Sequence, residues 1–174
     1  MDDISQSEIF RRSGEGQRRR IFIAEIEDVD DSSEVREIHR RKDEKGRCFT
    51  AVGAAMILDN EFASHTRSIP ILSPYIAAAE QDWSFVFLDF LITDHRVEPA
   101  RRKGAGEALL ENIKAYARQH RKSCIFLDCW TGGTENLIRY YEAAGFHPVE
   151  DFQYKKRNGD IWPGRLFRLD LVYL

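Results

Sequence analysis

Cysteine is scarce in this 174-residue chain, and what there is does not pair. Cys48, Cys124 and Cys129 are odd in number and form no CxxC, which argues against a disulfide framework and against a zinc site. Cys124 and Cys129 fall on one expected strand, where five residues span about 16 Å, too far for a bridge. Reduced thiols fit a cytosolic compartment, and Cys129 reads as a small buried hydrophobe rather than a nucleophile. Long apolar runs are missing too. The longest, Phe85 to Ile92, is interrupted by Asp89 and falls far short of the roughly 20 residues a membrane-spanning helix needs, so it reads as a buried strand. The Met1-Asp2-Asp3 start has neither a basic nor an apolar leader region, so neither secretion nor membrane insertion is expected. Excess charge of one sign is also absent. A net charge of -3 argues against a general nucleic-acid binder, which needs several unopposed cations. Arg18-Arg19-Arg20 and Arg40-Arg41-Lys42 are basic, but Glu25, Glu27, Asp43 and Glu44 lie close by, and solvated surface is the expectation.

The length suits one domain, 1–174, with no internal repeat. Ile4 to Arg12 is a helix candidate in a short leading region, 1–19. Arg20 to Glu27 alternates Ile21, Ile23 and Glu25 against Phe22, Ala24 and Ile26, as a strand does. Asp28 to Arg47 is almost wholly charged and is expected to be a long, mobile hairpin connection, after which Cys48 to Leu58 resumes as strand. Pro70, Pro74 and several serines make Asp59 to Asp82 read as irregular chain with one short helix around Tyr75 to Gln81. Phe85 to Ile92 and Cys124 to Trp130 suit central strands covered on both faces. Between them Ala105, Leu109, Ile113 and Ala117 recur every four residues, while Glu107, Glu111, Lys114 and Arg118 lie elsewhere on the wheel: an amphipathic crossing helix. Thr134 is placed to cap a further helix that Gly145 ends, and His147 to Tyr154 and Arg165 to Val172 supply two more strands.

Strand, Gly-rich turn, helix, strand is an arrangement whose turn can hold a phosphate. The N–H groups of Gly104, Ala105 and Gly106 can approach an anion at the helix N-terminus, and Arg101, Arg102 and Lys103 add countercharge. A GxGxxG loop would need glycine where Leu109 stands, and no Gly-Lys-Ser/Thr follows, so dinucleotide and NTP sites are disfavoured. Taken alone, the turn is equally a tight bend before a helix.

RxxGxG at Arg101 to Gly106, then a helix and an apolar strand, then Asn136-x4-Tyr141-Glu142-x2-Gly145-Phe146, together resemble the signature of the GNAT superfamily of acyl-CoA-dependent N-acyltransferases. The resemblance is best over residues 83–172. It implies an α/β fold of the α+β kind: a central mixed, mostly antiparallel twisted sheet, splayed between two central strands and flanked by helices. It also implies acetyl-CoA as cofactor. Arg101, Arg102, Lys103, Gly104, Ala105 and Gly106 would bind its pyrophosphate, Leu91, Ile92 and Thr93 would pair their backbone with the pantetheine arm, Asn136 would lie near that arm, and Tyr141 would face the sulfur.

An amine attacks a thioester only when neutral, so a base is needed near pH 7, and the departing thiolate benefits from a donor. A phenol of pKa about 10 is protonated at that pH, which makes Tyr141 the general acid, with packing against the preceding helix as its alternative role. Tyr140 is the fallback donor, about 100° away on the helix. Asp89, inside an apolar strand where desolvation raises a carboxyl pKa, is the base candidate; Asp128 is a rival on the next strand. His95 lies nearest the cofactor loop and reads as an exposed loop residue. The expected activity is transfer of acetyl to a primary amine of a small molecule or peptide, the alternative being a catalytically idle acyl-CoA-binding module. Ile69 to Tyr75 and the turn 158–163 are candidates to border the acceptor pocket. Two departures from the family pattern stand out. The linker Asp94 to Ala100 is long, and only about 19 residues precede the first strand, where the family places a strand and two helices that wall the acceptor side. Three readings follow: one such helix remains, a partner subunit in a homodimer completes the pocket, or the chain begins late.

Overall fold

The computed structural model describes residues 19–28 and 39–173. The helix expected at Ile4 to Arg12 and positions 29–38 of the charged connection lie outside them. Alternation produces β1 (Arg19–Asp28), antiparallel to β3 (Cys48–Asp59). Part of the connection expected to be loose is strand instead: β2 (Arg40–Lys42) pairs with β3, Arg41 opposite Phe49. Arg41 Nε donates to Glu25 Oε1 at 2.8 Å while its guanidinium lies 4.9 Å over the Phe49 ring, so charge and aromatic contact together order a segment whose composition suggested mobility.

Between β3 and β4 (Phe85–Thr93) the chain corrects a second expectation. Asp59 to Asp82 is not irregular with a single short helix. It holds α1 (Ser64–Arg67), a 3-10 turn (Pro70–Leu72) and α2 (Ser73–Asp82). Pro70 and Pro74 sit in first turns, where a missing N–H costs nothing, so they start these elements rather than break them.

The crossover from β4 to β5 (Cys124–Trp130) runs through α3 (Pro99–Arg102) and α4 (Ala105–Gln119). After α5 (Asn136–Ala143) the chain closes with β6 (His147–Lys155) and β7 (Ile161–Asp170). Two boundaries differ from expectation. The residue preceding α5 is Glu135 and no side chain caps that helix, so Thr134 is not its cap; Gly145, with φ +94°, does end it. β7 begins four residues earlier than Arg165, because the turn closed by Lys156 N–H to Asp160 O brings Ile161 opposite Lys155 and Trp162 opposite Tyr154. Pro163 obscures this in the sequence, yet its carbonyl accepts from Thr131 N–H at 3.0 Å.

The seven-stranded sheet has the order β1-β3-β4-β5-β7-β6, with β2 also on β3. Among the described residues the one parallel pair is β4–β5, and it lasts only from Phe85–Cys124 to Leu88–Leu127. Beyond it β4 follows β3 to Thr93 and β5 follows β7 to Trp130, so the sheet splays as the resemblance implies. Ile57 pairs with Leu88 and Met56 with Phe90, leaving Asp89 as the extra residue of a bulge at the mouth of the splay.

Both faces of the central strands are covered. Val86, Leu88, Ile125 and Leu127 pack under Leu109, Leu110, Ile113 and Ala117 of α4. On the other face Phe85, Phe87 and Phe126 meet Phe62, whose ring lies 4.7, 5.3 and 5.2 Å from theirs, with Ile69, Leu72 and Ile76 beside it. No helix among the described residues is long and apolar enough to cross a membrane.

Candidate active site

The splay opens onto a cavity of about 510 Å³. Leu88 to Leu91 of β4, Asp128 to Trp130 of β5 and Tyr141 of α5 line its inner part. His65 of α1 closes one side, and Tyr154, Lys156 and Trp162 of the β6–β7 hairpin another. Of the segment between β3 and β4, His65 is the residue that reaches this cavity.

Tyr141 is 6% exposed, wedged between the Phe146 and Phe167 rings at 5.8 and 6.3 Å, and it still reaches the cavity. Packing and access to the cavity thus coexist in one residue. Burial, and then the neighbouring Cys129, Tyr140 and Asp128, push its phenol well above the ordinary value, so it carries its proton at any physiological pH. Tyr140, one position earlier, goes elsewhere. Its buried Oη has no hydrogen-bond partner among the described residues, and a Cβ on Gly106 would stand 3.3 Å from it and 3.5 Å from Leu91 Cδ2.

Asp89, at the bulge, is half-buried and lines the cavity. Asp128, the rival, has a side chain only 8% exposed, and its Oδ2 accepts from Thr66 Oγ1 at 2.8 Å and sits 3.0 Å from His65 Nε2. His65 is the residue that sequence reasoning missed. It lies 63 positions from Asp128 on a one-turn helix, and no spacing signals such a pair. The hydrogen bond with Asp128 raises the His65 pKa above its ordinary value; burial opposes this, and the charges of Asp128 and Asp89 add to it. His95, by contrast, is exposed and lines a different hollow beside Thr93 and Arg96. Cys129 has its thiol pushed up to about 11, mainly by burial, which suits an inert core residue.

At the far end of β4, Gly104 adopts φ +82° and precedes α4, whose first-turn N–H groups have no partner inside the helix. Arg101 and Arg102 shape this turn. Arg101 is ion-paired with Asp28, and Arg102 donates to Val97 O at 3.1 Å and Thr93 Oγ1 at 3.3 Å, tying the turn to the end of β4. Lys103 and Gly104 are exposed, and Ala105 is buried beneath the turn. Leu91, Ile92 and Thr93 lie past the bulge, where no strand among the described residues covers the β5-facing edge. Asn136 opens α5 and is exposed, outside the cavity lining.

The residues present fit the implied cofactor in their chemistry: a helix N-terminus with free N–H groups suits phosphate, the β4 edge past Leu88 has no partner strand among the described residues, and Tyr140 Oη is a buried hydroxyl without a hydrogen bond among them.

The sequence matches the Acetyltransferase (GNAT) family over residues 27–146. No curated protein sequence matches the chain. Among solved structures, ribosomal-protein-alanine N-acetyltransferase from Brucella melitensis is similar, with a TM-score of 0.55 at 15% identity over 97% of this chain and 76% of that one. Ard1 from Thermoplasma volcanium has a TM-score of 0.49 at 15% identity, covering 71% of this chain and 65% of that one. The structure of yncA from Salmonella typhimurium with its cofactor acetyl-CoA has a TM-score of 0.49 at 17% identity, covering 71% and 60%. At 15% identity the likeness to the Brucella melitensis protein is one of fold, and the chain spans less than two-thirds of the other two proteins.

Proposed function

The chain belongs to the GNAT acetyltransferase family, and we propose that it moves an acetyl group from acetyl-CoA to a primary amine of a small molecule or peptide by direct attack. The observation that carries this reading is the meeting, in one cavity at the mouth of the splay, of a protonated buried phenol and a carboxylate at a bulge. Bound acetyl-CoA would supply the thioester. Lys103 and the first N–H groups of α4 would hold its pyrophosphate, with Arg101 and Arg102 keeping the turn in shape. The backbone of Leu91 to Thr93 would pair with the pantetheine, and Tyr140 Oη would find its hydrogen bond there.

Tyr141 Oη gives the proton that the leaving sulfur needs. Its raised pKa keeps that proton in place until charge develops on the sulfur. Asp89 lines the same cavity and would attract an acceptor ammonium into it. Its charge also favours a cationic acceptor over a neutral one.

The test is release of free thiol from acetyl-CoA in the presence of a panel of amines. Tyr141→Phe should slow turnover about 100-fold, the lower end of general acid catalysis, with little change in CoA affinity. Unchanged turnover would remove Tyr141 as the acid. Tight CoA binding without thiol release for any amine would instead favour an acyl-CoA-binding module.

A further inference from the structure

We propose that His65, oriented by Asp128, is the base that takes the proton from the acceptor ammonium, while Asp89 attracts that ammonium into the cavity; this rests on the acetyltransferase reading above. Asp128 Oδ2 receives two hydrogen bonds, from Thr66 Oγ1 at 2.8 Å and from the imidazole Nε2 at 3.0 Å. An ionised carboxylate can only accept, so the neutral ring carries its proton on Nε2 and presents a lone pair on Nδ1. Nδ1 has no hydrogen-bond partner among the described residues, and the ring lines the cavity shared with Tyr141 and Asp89. Thr66 is fully buried and the Asp128 side chain is 8% exposed, so the pair is held from beneath while the imidazole keeps access to the cavity.

The surroundings favour this role. The ionisable groups that share the cavity with His65 are Asp89 of β4, Asp128 and Cys129 of β5, Tyr154 of β6 with its ring 6.3 Å away, Lys156 of the following turn, and Tyr141 of α5. Two carboxylates against one ammonium stabilise the imidazolium, in keeping with its raised pKa. A carboxylate, of pKa about 4, is in general a weaker base than an imidazole at about 6.5, and an acceptor ammonium near 10 is better served by the stronger one.

The protons balance. His65 Nδ1 takes one proton from the ammonium, and the neutral amine forms its C–N bond to the acetyl carbon. As the C–S bond breaks, Tyr141 Oη gives its proton to the sulfur, and the nitrogen's surplus proton restores the phenol. The imidazolium then loses its proton to water, so that one proton leaves per acetyl transferred.

The experiment uses the full chain, acetyl-CoA, and 2-phenylethylamine, spermidine and peptides with free amino termini or lysines as probes. With the best of these amines, kcat/KM of the wild type should rise with pH through an ionisation above 6.5. His65→Gln should lower kcat/KM about 100-fold and remove that ionisation, and added imidazole should partly restore His65→Ala. Asp128→Asn should move the ionisation to lower pH, and an NMR titration of the His65 ring should show the same shift independently of turnover. His95→Gln should behave as wild type. A His65→Gln variant that binds acetyl-CoA and keeps both rate and ionisation would overturn His65 as base while leaving the transferase reading intact. If the wild type transfers to no amine although it binds acetyl-CoA, both readings fall.

Discussion

Gly104 carries the chain into α4 at φ +82°, in the left-handed region that side chains with a Cβ avoid. A Cβ placed there meets nothing within 4 Å, so the cost of Gly104→Ala is all backbone. That substitution should destabilise the fold by about 1–2 kcal/mol, read as a lower urea midpoint with unchanged slope. Asp28 governs the same turn from below. Burial pushes its carboxyl up, but hydrogen bonds from Thr50 and Arg101 and the charges of Arg101 and Arg40 outweigh this and hold it below the ordinary range. Its contribution to stability is therefore complete above about pH 4 and is lost as pH falls through the lowered folded value. Asp28→Asn should weaken the hold on Arg101 and raise KM for acetyl-CoA several-fold with kcat nearly unchanged, as steady-state kinetics can check. That Arg101 to Gly106 turn the chain into a helix was legible in sequence, whereas the division of labour among their side chains was not. The ion pair of Arg101 reaches a residue 73 positions away, and no local pattern records it.

Among the elements, the segment between β3 and β4 matters most and was read least well. Its pieces span three to ten residues, too short for periodicity to separate from loop, and Pro70 and Pro74 look like breakers when they are helix starts. Long elements were easier. The fifteen residues of α4 cover four turns, and its Leu109, Leu110, Ile113 and Ala117 stripe is buried as the spacing demands. Phe62 anchors the short helices on the sheet, 1% exposed among three other phenylalanines. Phe62→Ala should cost about 3–5 kcal/mol. Because α1 carries His65, the same change should raise the acceptor KM more than the acetyl-CoA KM. Equal effects on both would mean that the segment serves only as packing.

For the molecule as a whole, two of the three tryptophans, Trp130 and Trp162, border the cavity, and Trp83 stands at the end of α2. An acceptor entering the cavity should change tryptophan emission over a constant Trp83 background, and Trp83→Phe should leave the change intact. Acetyl-CoA at 100 times its Kd should stabilise the chain by about 2.7 kcal/mol and raise Tm accordingly. The central strands, the crossing helix and the glycine and tyrosine motifs were decided locally. Apolar runs, a four-residue repeat and two short signatures depend on chemistry within a few turns of chain, so the amino-acid order alone was enough to indicate the family. The cavity at the mouth of the splay was decided by tertiary structure. It needs a strand pair that stops after Leu88 and Leu127, a bulge that sets Asp89 at the opening, and a short helix that brings His65 within 3.0 Å of Asp128. Each of these is a register or a packing contact between distant segments, formed only when the sheet assembles and its aromatic face is covered.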